Sequence, residues 1–122
     1  MKGLKKWNHI SISESYDTIA ISLSDSYEIY RIVQEITANI IKHGKASHIN
    51  FRLTNKEKQI IIEVLDDGNA FDFFKKLQEA QGMGLKNITS RISQIKAKIV
   101  QIPLSTGNRI KIYYDVKDSD CG

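Results

Sequence analysis

The chain has 122 residues, enough for one hydrophobic core and too few for two. With 41% hydrophobic and 26% charged residues it has the balance of an ordinary globular protein, and no apolar run approaches the length of a membrane span. The net charge of +4 permits an anionic partner, but the lysines are scattered rather than gathered into the basic block of a nucleic-acid-binding arm, so nucleic acid is not expected.

The amino-terminal MKGLKKWNHISIS is basic without an apolar centre, so no secretory signal is expected. The single cysteine, Cys121, cannot form an internal disulfide. Both features fit a cytoplasmic domain without membrane contact. Residues 1–8 read as a loose lead-in. Beyond them, Ile10 and Ile12 alternate, as do Ile19, Ile21 and Leu23, which predicts one or two short strands, with Ser11, Ser13, Glu14 and Asp17 between them suggesting a hairpin. Asp25 and Glu28 have capping-box spacing and predict a helix from there to about His43. Its buried stripe is Ile29, Ile32, Val33, Ile36 and Ile40, and Gly44 is the expected left-handed terminator.

Ile49, Phe51 and Leu53 then alternate, Asn55-Lys56-Glu57-Lys58 reads as a turn, and residues 59–65 return as a strand. Ile60, Ile61, Ile62, Val64 and Leu65 are apolar on both faces, which makes this strand central. It stops at the turn-forming Asp66-Asp67-Gly68-Asn69-Ala70. Phe71, Phe73, Phe74 and Leu77 suggest a helical turn within residues 71–81, and Leu85, Ile88, Ile92 and Ile95 share one face of a second helix over about residues 85–96. Strands over residues 97–102 and 109–116 follow, joined by Pro103-Leu104-Ser105-Thr106-Gly107-Asn108, and residues 118–122 make a frayed tail. The order predicts an α+β fold over residues 9–117, a two-layer α/β sandwich with helices on one face of a mixed, mostly antiparallel sheet.

Three clusters stand at element ends. Glu35, Asn39 and Lys42 lie at i, i+4 and i+7, a second helical stripe beside the isoleucine seam. An acid, an amide and an ammonium on one edge can hold a hard cation such as Mg²⁺ and its anionic ligand, because the amide oxygen suits the cation and the lysine suits phosphate. A solvated polar edge is the plainer reading of the same stripe, and it places Asn39 exposed, off the Ile32/Ile36/Ile40 seam. Gly82-Met83-Gly84 opens a helix, where free backbone N–H groups and the helix dipole favour an anion, although glycine is also an ordinary helix start. Asp66 at a strand end is a ligand or a simple turn aspartate.

Taken together and in this order, the clusters resemble the GHKL ATPase superfamily (Bergerat fold), in particular the ATP-binding catalytic domain of bacterial sensor histidine kinases of the subfamily paired with LuxR/NarL-type response regulators. The residues that carry the resemblance are IYRIVQEITANIIKHGKAS at residues 29–47 for the N box, DDGNAF at residues 66–71 for the G1 box, and GMGLKNITSR at residues 82–91 for the G2 box. The resemblance implies that Asn39 holds Mg²⁺ and that Glu35 orients water or acts as base. It implies that Lys42 and His43 approach the phosphates, and that Asp66 accepts the adenine amino group while Gly68 makes room for the base. Gly82, Gly84 and the Leu85 N–H would cradle phosphates of ATP under a mobile lid over residues 72–81. Ala70 replaces the second glycine of the G1 box and is expected to put a methyl where the backbone needs a positive φ or close approach. Lys96-Ala97 stands for a family Gly-Gly, and Gly107-Asn108 for a Gly-Thr.

His9, His43 and His48 lack the surroundings of a phosphoacceptor histidine. The resemblance therefore implies an enzyme that phosphorylates a histidine on a separate dimerisation domain, upstream in the same protein or in trans, which passes the phosphoryl to a response regulator. A stand-alone anti-sigma-factor-type serine kinase and a nucleotide-binding regulatory module without transfer activity are the alternatives.

Overall fold

The computed structural model describes residues 4–7, 10–16, 21–79, 84–102 and 104–116, with side chains from residue 21 onward. Among these residues six strands form one sheet in the order β1-β2-β3-β4-β6-β5. They are β1 (Leu4–Trp7), β2 (Ile10–Tyr16), β3 (His48–Lys56), β4 (Gln59–Asp66), β5 (Lys98–Ile102) and β6 (Asn108–Asp115). Every seam is antiparallel except β2–β3, which is parallel. The helices are α1 (Leu23–Gly44), α2 (Phe73–Glu79) and α3 (Gly84–Gln94). The expected mixed, mostly antiparallel sheet is the observed one, and β4 is central as its two-faced apolar run predicts.

Register decides which residues face the helices. Ile60, Ile62 and Val64 of β4 stand opposite Tyr114, Ile112 and Ile110 of β6, and all six are buried. With Ile49 they form the sheet side of the core. The helix side is the α1 seam Ile29, Ile32, Ile36 and Ile40, the α2 residues Phe73 and Leu77, and Ile88, Ile92 and Ile95 of α3 and its end. Each such aliphatic side chain contributes roughly 1.5–3 kcal/mol on burial, so the helices are held by the seam rather than by local propensity. On the opposite face Ile61, Leu65 and Tyr113 are half-buried, and Glu63 is bracketed by Arg52 and Arg109. Helices thus cover one face, as expected.

Several local expectations are corrected. Residues 4–7, expected to be loose, are a strand paired with β2, so the amino-terminal hairpin forms between β1 and β2. No strand forms at residues 21–23, because Ser22 is the N-cap of α1, its hydroxyl accepting the Asp25 N–H at 3.2 Å. Asp25 is therefore inside the helix, where its buried carboxylate accepts the Tyr114 hydroxyl. Burial, reinforced by that carboxylate, raises the Tyr114 pKa well above its ordinary value. Glu28, expected in the capping box, instead pairs with Arg91 at 2.6 Å and ties α3 to α1. The sequence Phe71 to Leu77 yields a helix of its own, α2, rather than a single turn. The frayed tail, Cys121 and His9 lie outside the described residues.

Among the described residues three besides Gly107 take the left-handed conformation, and none of the three is a glycine. Lys45, not Gly44, ends α1 at φ 52°, and Glu57 turns the β3–β4 hairpin at φ 58°. Lys96 has φ 57°, with its N–H on Ser93 O and the Ala97 N–H on Ile92 O, the paired bonds of a Schellman ending. A Cβ strains that conformation. Replacing Lys96 by glycine is expected to stabilise the fold by about 0.5–1 kcal/mol. A reversible melt of Lys96→Gly beside the parent protein checks this, and a lowered midpoint would show that the lysine stem contributes more than the strain costs.

Candidate functional site

The carboxyl-terminal half of α1 brings the three sequence clusters to one edge of the sandwich. Asn39 donates its Nδ2 to the Glu35 backbone oxygen at 2.9 Å and to Glu35 Oε2 at 3.1 Å. A carboxylate can only accept, so this pairing fixes the amide nitrogen toward Glu35 and turns the amide oxygen to the other side. That oxygen is the end a hard cation would use. Asn39 is, however, buried rather than on an exposed edge. Lys42 is exposed, and His43 is half-buried with its ring edge-on to Phe71, 5.8 Å between centroids.

Gly84, the first residue of α3, lies directly against Glu35. A Cβ built there would fall 2.8 Å from Glu35 Oε2 and 2.8 Å from Leu77 Cδ2, closer than real Cβ atoms come. The glycine is thus what lets the start of α3 reach the polar stripe, and its first-turn N–H groups, with that of the half-buried Leu85, have no intrahelical partners. Gly82 lies outside the described residues, as do residues 80–83 generally. Of the lid expected over residues 72–81, the part through Glu79 includes the helix α2, anchored by buried Phe73 and Leu77. Motion of that part would require withdrawing both side chains from the core.

At the other end of the stripe sits the loop after β4. Register places Asp66 opposite Asn108 and Ile49 on the helix-covered face. The buried Asp66 carboxylate accepts the Gly68 N–H at 2.7 Å and the Asn108 amide at 3.1 Å. Burial raises its pKa above the ordinary 3.8, opposed by the Gly68 N–H and the Asn108 amide. Asn108 also donates to Asn69 O at 3.0 Å and accepts the Phe71 N–H at 3.0 Å, so it bridges the strand end and the whole loop. The Asn69 N–H in turn reaches Gly44 O at 2.6 Å, closing the loop on the end of α1.

This geometry bears on two glycine-box expectations. A Cβ at Gly68 would meet the backbone of Gly44 and Ala46, so close chain packing by itself requires glycine there. Ala70 is exposed and does not occupy a positive φ among the described residues, so its methyl introduces neither strain nor a clash. It faces instead a separate cleft that it lines with Phe71, Asp72, Phe74, Gln101, Leu104 and Gly107, away from Glu35 and Asn39.

Asp67 has a role that sequence reasoning missed. Its carboxylate accepts the Ser47 N–H and His48 N–H, each at 2.9 Å, and the Ser47 hydroxyl at 2.6 Å. It staples the loop to the start of β3, and Ser47-Asp67 as a pair is invisible without the fold. Among the described residues no group of three His, Cys, Asp or Glu could hold a metal.

Comparison with known proteins bears on this arrangement. The family model described as histidine kinase-, DNA gyrase B-, and HSP90-like ATPase matches residues 24–118. The chain is 28% identical over 109 residues to sensor histidine kinase ComP of Bacillus subtilis, covering 89% of this chain and 14% of that protein. It is 31% identical over 94 residues to the sensor protein VraS of Staphylococcus aureus, covering 75% of this chain and 26% of the relative. The chain thus spans a minor part of these relatives. Among solved structures, the histidine kinase domain of the Erythrobacter litoralis blue-light activated histidine kinase superposes with a TM-score of 0.78 at 16% identity, covering 94% of this chain and 55% of that one. The catalytic domain of histidine kinase ThkA gives 0.66 at 14% identity, covering 85% of this chain and 76% of that one. At such identities the superpositions speak for the fold alone. No helix of the described residues is long and apolar enough to cross a membrane.

The Asp67 staple makes a pH prediction. The Ser47 hydroxyl bond, chief among its partners, lowers its pKa below the ordinary 3.8. The folded state then binds fewer protons than the unfolded one, so the contribution is present above pH 3.8 and is lost as pH falls through the lowered value. Asp67→Ala is expected to melt earlier at pH 7, with the gap to the parent closing in the acid limb below pH 3.8. A gap independent of pH would show that the charge is not what holds the loop.

Proposed function

Since the chain belongs to the histidine kinase-, DNA gyrase B- and HSP90-like ATPase family, we propose that it is the ATP- and Mg²⁺-binding catalytic domain of a sensor histidine kinase. It transfers the γ-phosphoryl to a histidine on a separate dimerisation domain, in the cytoplasm, for relay to a response regulator of the LuxR/NarL type. The observation that carries this reading is the convergence of Asn39, Glu35 and the start of α3 at one end of a helix edge whose other end meets the Asp66 loop. From Glu35 to Gly44 the helix rises roughly 13 Å, a separation that a nucleoside triphosphate bridges with its base at one end and its phosphates at the other.

In this reading each residue has one task. Asp66 accepts from the exocyclic amine of adenine, which selects adenine over guanine because guanine presents a carbonyl there. Asn39 would hold the cation through its amide oxygen, aimed by the bond from its nitrogen to Glu35. When bound, Mg²⁺ neutralises phosphate charge and orients the transferring group. Lys42, exposed at the same edge, meets phosphate oxygens, and His43, seated on Phe71, lies beside them. Leu85 and Gly84 N–H groups, with Gly82, cradle phosphate at the start of α3. Glu35 orients water or takes the proton released when the acceptor imidazole nitrogen replaces the bridging oxygen of ADP at phosphorus.

ATP with Mg²⁺ at ~100 times its dissociation constant is expected to add roughly 2.7 kcal/mol to stability. Asn39→Ala is expected to remove the Mg²⁺ dependence of that gain. Because Asn39 is buried and bonded to Glu35, the unliganded variant is also expected to lose about 1–2 kcal/mol. A thermal-shift titration with and without Mg²⁺ checks both, and a parent protein that does not respond to millimolar ATP would refute nucleotide binding. Binding without phosphorylation of a supplied dimerisation domain would instead support a regulatory module. Separately, Asp66→Asn is expected to bring ATP and GTP to comparable affinity in competition, and equal weakening of both would make Asp66 a turn residue only.

A further inference from the structure

Between β5, β6 and the loop after β4 runs a chain of amides in which every donor and acceptor is used. Asn108 Nδ2 serves Asp66 and Asn69 O, while Asn108 Oδ1 accepts the Phe71 N–H and, at 3.3 Å, Gln101 Nε2. Gln101 Nε2 also donates to Phe71 O at 2.7 Å, and Gln101 Oε1 accepts the Phe73 N–H at 2.9 Å, at the first residue of α2. The direction of this chain is forced. An ionised Asp66 can only accept, so Asn108 must present nitrogen to it and oxygen to the other side. That oxygen requires the nitrogen of Gln101, which leaves the Gln101 oxygen for Phe73.

An isolated asparagine amide can turn over by half a rotation, since its nitrogen and oxygen are nearly the same size. Turned over, Asn108 would set its oxygen against the Asp66 carboxylate. The turned amide would also oppose its nitrogen to the Phe71 N–H and to Gln101 Nε2, so Gln101 reinforces the orientation that Asp66 favours. No hydrogen bond joins Gln101 to Asp66, yet Gln101 helps to hold the Asn108 nitrogen against it.

We propose that the Gln101–Asn108 pair is the positioning device of the nucleotide site. Gln101, acting through Asn108, holds the Asp66 carboxylate as an acceptor aimed at an exocyclic amine, and by the same side chain it seats the start of α2. The base end of the site and the helix that leads toward the phosphate turn are then set together. This rests on the reading of Asp66 as the acceptor for adenine.

The test compares affinities of the whole chain, with Mg²⁺, for ATP and for purine riboside triphosphate, which lacks the exocyclic amine, alongside hydrogen exchange at the Phe73 amide. Gln101→Leu is expected to reduce the preference for ATP about tenfold, speed exchange at Phe73, and leave purine riboside triphosphate within about twofold of the parent. Gln101→Glu, equal in size, sets a carboxylate against Phe71 O and Asn108 Oδ1. It is expected to reduce the preference for ATP in the same way while keeping an acceptor for the Phe73 N–H, which keeps the test open if the leucine variant fails to fold. Variants that keep the parent preference, or weaken both nucleotides equally, overturn the proposal and make Gln101 a structural residue. A parent protein with no preference for ATP overturns the reading of Asp66 and the proposal together, so the two failures are distinguished by the parent alone.

Discussion

A carboxylate buried at the end of the central strand is the constraint around which this molecule is arranged. Taking Asp66 out of water costs several kcal/mol unless donors are supplied, and its neighbours supply them. The Gly68 N–H requires the chain to double back at once, which is why Gly68 presses on the backbone of Gly44 and Ala46. The Asn108 amide requires β6 to keep register with β4 to its last residue. A one-residue slip would move Asn108 to the uncovered face along with the Ile110, Ile112 and Tyr114 series. The hydrophobic pattern and the polar cluster therefore enforce the same pairing.

The helix α1 joins two kinds of chemistry on adjacent stripes. Its isoleucine seam holds it on the sheet, and the seam's rigidity aims the polar residues beside it. Asn39 is buried within this arrangement, so the orientation of its amide is set by Glu35 and not by solvent. The Arg91–Glu28 pair and the Gly84–Glu35 approach fix α3 at two points along α1. Removing either leaves the seam intact while loosening the edge where the site lies.

Much of this was legible in the chain. The isoleucine stripe, the central strand and the sequence of elements follow from periodicity alone, because burial on one side imposes it. The three clusters at element ends were readable as well, since turns and helix starts carry glycine and aspartate for backbone reasons. What periodicity could not supply was register and side-chain orientation. Asp67 and Ser47 are twenty positions apart and meet only because β3 and β4 pair. Gln101 was overlooked although its signal was present: on β5 it occupies a core-facing position, opposite Ile110, where an apolar residue is the default. Lys45 misled in the other direction, because it takes the left-handed position expected of Gly44, as Lys96 does where helix-ending hydrogen bonds hold it.

The single parallel seam has a consequence for how the fold assembles. β3 and β4 join through a short turn and β5 and β6 are neighbours in the chain, whereas β2 reaches β3 across a connection that holds α1, and β4 reaches β6 across one that holds α2, α3 and β5. Contacts that close long loops form late, because the entropy of closure precedes any reward. The β3–β4 hairpin can therefore exist before β2 or β6 arrives, and until β2 docks β3 offers an open row of backbone donors and acceptors along Ile49, Phe51 and Leu53. The hazard for this protein is one of timing: a half-assembled chain with that edge exposed is the species that pairs with a second copy, and docking of the crossover helix sets how long it persists.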